Sequence, residues 1–199
     1  MPKSFSEKER EKITGDLRRA AAESMQRVGI KKTTVDELVK AARIPKGTFY
    51  LFYDSKELLL FEVIEQWHDE LHTELAARAA TLAENTDANS VTELIMSVFR
   101  EVFATGFYEL MVSGELDALI RRLPDSVMRE HLKSDEKDME IIFSLLPETD
   151  EHKKRLFSAA MRALFFTVAH KREIGEDIFD DTLRLCLRGL VLQMLEGEK

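Results

Sequence analysis

The chain has 199 residues, with 29 Lys or Arg against 37 Asp or Glu and a formal net charge of −8. At 44% apolar and 33% charged it has the composition of an ordinary soluble globular protein, long enough to bury roughly 70% of its unfolded surface. No window approaches the ~18 apolar residues of a membrane span, residues 1–8 turn charged where a secretory signal needs an apolar stretch, and the single Cys186 allows neither an intrachain disulfide nor a cysteine-built zinc site.

A cytoplasmic location is therefore expected. Residues 1–60 hold 13 Lys/Arg and 9 Asp/Glu, a net of +4, whereas the other 139 hold 16 and 28, a net of −12. A basic head on an acidic body suits a nucleic-acid binder with a separate regulatory body, although clustered charges on solvated helices give the same balance.

Apolar residues at Ile13, Leu17, Ala20, Ala21, Met25 and Val28 follow helical spacing, so a first helix runs from Ser6 to Val28 and stops at Gly29. Thr34 opens a second helix, with Glu37 completing a capping box, and its apolar stripe lasts barely two turns, from Val35 to Ala42. After Arg43-Ile44-Pro45 a third runs over Lys46–Tyr53, with Pro45 at its first helical position. Asp54-Ser55 leads into a long helix from Lys56 to about Ala83, and Asn85–Asn89 is the clearest polar loop.

Ser90 with Glu93 starts the next helix, through about Thr105. Gly106 and Gly114 bracket a short one, and others span 115–123, 124–146, 151–171 and 176–195. No segment alternates with period two, so the expectation is an all-α chain of about nine helices.

The two short helices, joined by three residues and braced by a longer one, have the dimensions of a helix-turn-helix. Ile13, Leu17, Ala21, Leu38, Ile44 and Phe49 should form its core. The opposite face carries Lys46, Gly47, Thr48 and Tyr50, groups suited to a major groove: Gly47 permits close approach, Thr48 and Tyr50 can donate to phosphate, and Lys46 can reach a base edge or a phosphate. Thr34 and Lys56, at two helix N-termini, are placed for phosphates.

Thr33-Thr34-Val35-Asp36-Glu37-Leu38, then Lys46-Gly47-Thr48-Phe49-Tyr50, then Ser55-Lys56-Glu57-Leu58-Leu59 resemble, in order and spacing, the DNA-binding domain of the TetR family of transcriptional regulators. The resemblance covers about residues 8–60. It implies a DNA-binding domain over 1–55 and a ligand-binding and dimerisation domain over 56–199, in a homodimeric repressor on palindromic double-stranded operator DNA, released by a small-molecule effector. Three positions depart from the pattern. Arg43 lies where the turn usually has Gly, Pro45 replaces a capping Ser, and Phe52 stands where a polar ring, often His, is common.

The middle of the chain is rich in adaptable apolar groups, among them Trp67, Phe99, Phe103, Phe107, Tyr108, Met111 and Phe143. At helical spacing these suit a core. The resemblance implies that some line an effector cavity, favouring a lipophilic or flat aromatic ligand, with Tyr108, Glu109, Glu115 or Arg121 as polar anchors.

The last two long helices are apolar on more than one side and so need cover on both. Phe157, Met161, Leu164, Phe165, Leu183, Leu187, Leu190 and Met194 are the expected dimer contacts, in a four-helix, two-fold interface. No cofactor, metal or membrane partner is expected. Two other readings stand beside this one: a helical metal-dependent hydrolase built on His68 and His72, one helical turn apart as in zinc peptidases but with Asp69 where those have Glu, and a helical protein-interaction module. The carboxylate pairs Asp135/Asp138 and Asp180/Asp181 read as solvated faces.

Overall fold

A computed structural model of the chain describes residues 5–82, 86–104, 107–147 and 150–195, with the side chains of all of these but 134–138. Among the described residues the chain is all-helical. In order its helices are α1 (Glu7–Val28), α2 (Val35–Ala41), α3 (Lys46–Phe49), α4 (Lys56–Leu82), α5 (Ala88–Ala104), α6 (Phe107–Val112), α7 (Glu115–Ile120), α8 (Asp125–Phe143), α9 (Glu151–Thr167), α10 (Lys171–Ile174) and α11 (Phe179–Leu195). A 3-10 turn, Val168–His170, joins α9 to α10. Among the described residues these eleven helices exceed the expected nine, and the four-residue α10 is one that the sequence reading did not include. No helix among the described residues is long and apolar enough to cross a membrane. The chain forms two compact units, residues 1–68 with 109–128 and residues 69–108 with 129–199.

In the second unit α5 packs on α11, and α11 on α9. Helix α5 starts three residues earlier than the expected Ser90/Glu93 capping box would have it. Its cap is Asp87, whose carboxylate accepts the Ser90 N–H at 2.7 Å while the Ser90 hydroxyl accepts the Asp87 N–H at 2.9 Å. The bond from the Ser90 N–H first, and then a side-chain hydrogen bond from Ser90 to the carboxylate, hold the Asp87 carboxyl below its usual range. Val91, Leu94, Ile95, Phe99 and Val102 of α5 are buried, as are Phe179, Leu183, Leu187, Val191 and Met194 of α11. Four-residue spacing puts the α11 set on one face, turned inward.

That inward face takes several of the expected dimer contacts. Phe157, Met161, Leu183, Leu187 and Met194 are buried within their own chain. Phe165 is half-buried, with its ring 6.1 Å from that of buried Phe99. Leu164 and Leu190 are half-exposed. The outward apolar residues are instead Leu156, Ala159, Ala163 and Phe166 of α9, at spacings of three and four, and Leu185, Cys186 and Gly189 of α11. Leu156 is 57% exposed, Phe166 68% and Leu185 72%. Several segments also stop short of their expected limits. The helices expected to end at Leu123 and Leu146 finish at Ile120 and Phe143, and the one expected from Glu176 starts at Phe179. Asn85 and Gly106, and the side chains of Asp135 and Asp138, lie outside the described residues.

The first unit is built around α1. A capping box not foreseen from the sequence opens it at the expected start: the Glu9 N–H donates to the Ser6 hydroxyl at 3.3 Å, and the Ser6 N–H donates to the Glu9 carboxylate at 2.8 Å. Leu17, Ala21, Leu38 and Phe49 are fully buried with Met25, Leu59 and Leu60, whereas Ile13 and Ile44, expected in the same core, are only half-buried. Helix α2 ends in a Schellman motif. The Ile44 N–H bonds Val39 O at 3.0 Å and the Arg43 N–H bonds Lys40 O at 3.3 Å, which forces Arg43 to φ +57. Among the described residues it is the one non-glycine with a positive φ. A side chain there costs about 1–2 kcal/mol, partly offset because Gly gives the unfolded chain more freedom. Arg43→Gly is expected to stabilise the chain by about 0.5–1 kcal/mol in urea unfolding.

Candidate nucleic-acid interface

The turn after α2 sets the direction of α3. Thr34 caps α2 as expected, accepting the Glu37 N–H at 3.3 Å while Glu37 reaches back to the Thr34 N–H and hydroxyl. Its hydroxyl is therefore engaged in the cap rather than held out to a phosphate. Beneath it Thr33 is buried and gives its hydroxyl proton to Gly29 O at 2.7 Å, so the Ser24 hydroxyl, 2.9 Å away, must donate to Thr33. This pair pins the loop between α1 and α2.

Pro45 is the N-cap of α3, one position earlier than expected, with extended backbone (ψ 147) and no side-chain cap. The Thr48 N–H closes the first turn on Pro45 O at 2.9 Å. The regular helix stops at Phe49 instead of reaching Tyr53, because the chain then tightens: the N–H groups of Phe52 and Tyr53 both bond Phe49 O. Phe49 is fully buried and meets Tyr50 edge-on at 5.2 Å. That anchor leaves Lys46, Gly47, Tyr50 and Leu51 exposed and Thr48 half-exposed, with open space where a Gly47 side chain would be. Four of the six residues expected at DNA thus share one outward patch.

The two expected lysines are already occupied. Lys46 Nζ lies 2.9 Å from an Asp36 carboxylate oxygen, a hydrogen bond that raises its pKa; both side chains are exposed, so a phosphate can displace Asp36. Lys56 donates to Thr33 O at 2.7 Å and Ile30 O at 3.4 Å, which ties the start of α4 to the loop after α1 and leaves one of three protons for a phosphate.

Three positioning groups carried no sequence signal. Glu62 on α4 accepts from Arg18 on α1 and, at 2.5 Å, from the Tyr53 hydroxyl. Glu115, at the start of α7, accepts the Lys31 N–H at 3.0 Å, and a side chain on Gly29 (φ +85) would come within 2.6 Å of its carboxylate. Arg122 bonds Glu57 of α4 at 3.2 Å. Each link joins residues 9 to 84 positions apart, beyond the reach of any local pattern.

The residues expected around an effector are divided between the units. Trp67 and Met111 belong to the first, half-buried. In the second, Phe103 meets Tyr108 at 5.3 Å and Phe179 at 5.8 Å, with Lys171 Nζ 4.4 Å above its ring; Phe143 meets Phe157 at 5.7 Å; Phe99 is buried; Phe107 is half-exposed. A crevice between α4 and α5, lined by Leu71, Leu75 and Val98, leaves no room for a water molecule. For His68 and His72 a metal needs further ligands, and among the described residues no three His, Cys, Asp or Glu side chains are grouped to hold one.

Burial first, then the bond to Glu62, pushes the Tyr53 hydroxyl above its ordinary pKa of 10.0. A group whose folded pKa is raised contributes stability below its unfolded pKa and loses it as pH rises through the folded value. The stability of the chain in urea unfolding is therefore expected to fall above about pH 10 more steeply than that of Tyr53→Phe.

Residues 17–63 match the family model for bacterial regulatory proteins, tetR family. YuxN, an HTH-type transcriptional regulator of Bacillus subtilis (strain 168), is 32% identical over 68 residues, 34% of this chain; the match spans about a fifth (22%) of that protein's length. A solved structure from Mesorhizobium loti MAFF303099, described as a TetR-family transcriptional regulator, has a TM-score of 0.61 at 14% identity, covering 94% of this chain and 96% of that one. FadR of Thermus thermophilus, a TetR-family transcriptional repressor in complex with lauroyl-CoA, also gives 0.61, at 23% identity over 96% and 97% of the two chains. Residues 17–63 are thus similar to the tetR family of bacterial regulatory proteins, and the chain shares the all-helical fold of these solved structures.

Proposed function

We propose that the chain is a cytoplasmic, ligand-responsive transcriptional repressor that binds a palindromic operator as a homodimer and performs no catalysis. The observation that carries this reading is the exposed patch of α3, Lys46, Gly47, Thr48 and Tyr50, presented by a buried Phe49 within the segment that the family model matches. A helix so presented can enter a major groove, with Tyr50 and Thr48 at phosphates and Lys46 at a base edge or phosphate. In a two-fold dimer the reading helices fall about 34–36 Å apart, which calls for a palindrome.

The dimer would form through the outward faces of α9 and α11. Leu156 and Phe166 of α9 and Leu185 of α11 are large apolar residues well exposed on the single chain, and Ala159, Ala163 and Gly189 between them allow close helix approach. DNA recognition is assigned to residues 1–55, and dimerisation and effector binding to 56–199. Phe103, Phe107, Tyr108 and Phe143 favour a lipophilic or aromatic effector, and lauroyl-CoA bound to the Thermus FadR supports the lipophilic choice. Effector binding would lower DNA affinity by favouring a spacing of the two reading helices that does not match the grooves.

The test is selection of duplexes from a random pool by the full-length chain. The expected result is an enriched palindrome; absence of any enriched sequence overturns the reading. On the enriched duplex Tyr50→Ala is expected to weaken binding about tenfold with the helical spectrum intact, and Lys46→Ala to cost about 1–3 kcal/mol if it reads a base. In light scattering after gel filtration the chain is expected at twice its monomer mass. Phe166→Glu with Leu185→Glu is expected at the monomer mass, because two buried charges per subunit would face one another.

A further inference from the structure

We propose that Arg10, in the first turn of α1, is a DNA-phosphate contact outside the reading helix, and that Phe52 is the residue that positions it. The inference rests on the DNA-binding reading above and adds to it a contact from a different helix. The guanidinium carbon of Arg10 lies 4.8 Å from the centre of the Phe52 ring, and the Phe5 ring, 5.8 Å from Phe52, is a third member of the cluster. Phe52 sits in the tight turn that ends α3, its N–H on Phe49 O, so Arg10 is carried at the end of the reading helix.

Arg10 has Glu7, Glu9 and Glu11 as chain neighbours, yet its guanidinium makes no ion pair among the described residues. Glu9 is engaged in the capping box with Ser6. Stacking on a ring face leaves the N–H edge of a guanidinium open in its own plane, where a carboxylate partner would have taken two donors. The contrast with the lysines is direct: Lys46 is held by Asp36 and Lys56 by two carbonyls, whereas Arg10 is exposed and its guanidinium has no hydrogen-bond acceptor among the described residues. A major groove is about 12 Å wide, so a cation at the end of a helix lying in it is within a side chain's length of a phosphate wall. Phe52 itself cannot bond a phosphate. Its ring fixes a residue that can.

The experiment measures affinity of the full-length chain, at several salt concentrations, for the duplex it enriches and for an unrelated duplex of equal length. Arg10→Ala is expected to weaken both about 3- to 10-fold and to lower the salt slope by about 1, with base preference unchanged. Phe52→Leu should reproduce both effects, Phe52→Tyr, which keeps the ring, should behave as wild type, and Arg10→Ala with Phe52→Leu should be no weaker than Arg10→Ala alone. Wild-type affinity and slope in Arg10→Ala overturn the contact, and additive losses in the double variant overturn the positioning role. A wild-type chain that binds neither duplex instead overturns the DNA-binding reading itself, and the contact with it.

Discussion

The Glu62 carboxylate holds three segments of the N-terminal unit to one another. It accepts from Arg18 of α1 and from the Tyr53 hydroxyl just beyond α3, and it sits on α4. Helices of seven and four residues bury too little surface to stand alone, so α2 and α3 depend on their braces for position. Phe49 supplies the burial, but burial is non-directional. The hydrogen bonds at Glu62 fix the angle at which the patch from Lys46 to Tyr50 leaves the surface, and the raised pKa of Tyr53 is the electrostatic sign of that enclosure.

Much of this unit was legible in the residues. The Thr34/Glu37 pair capped a helix, and Leu17, Ala21, Leu38 and Phe49 closed the core, because capping and helical periodicity are local properties. Arg43 in the left-handed position was implied by the resemblance, which has Gly in that turn. What was not legible was long-range: Glu115 on Lys31, Arg122 on Glu57, and both lysines already occupied. A cation read from sequence has no partner until the fold gives it one.

The C-terminal helices show the same limit differently. Their apolar residues were expected to need cover on both sides, but periodicity does not say which stripe faces inward. On α11 the longer stripe, from Phe179 to Met194, went to the subunit core, and the shorter one at Leu185 and Gly189 was left outside. The richer face of a two-sided helix is the one its own chain covers first, since that burial removes most apolar area from water.

The loop between α1 and α2 is also held by residues far down the chain. Glu115 grips Lys31 beside a glycine that leaves it room, and Arg122 grips Glu57, so residues 109–128 are structural parts of the N-terminal unit although some forty residues of the other unit come between. A hybrid protein made by grafting only the first sixty residues onto a foreign body would leave the Lys31 amide and the Glu57 carboxylate without their mates. Transplanting this head intact means carrying over two stretches of polypeptide rather than one.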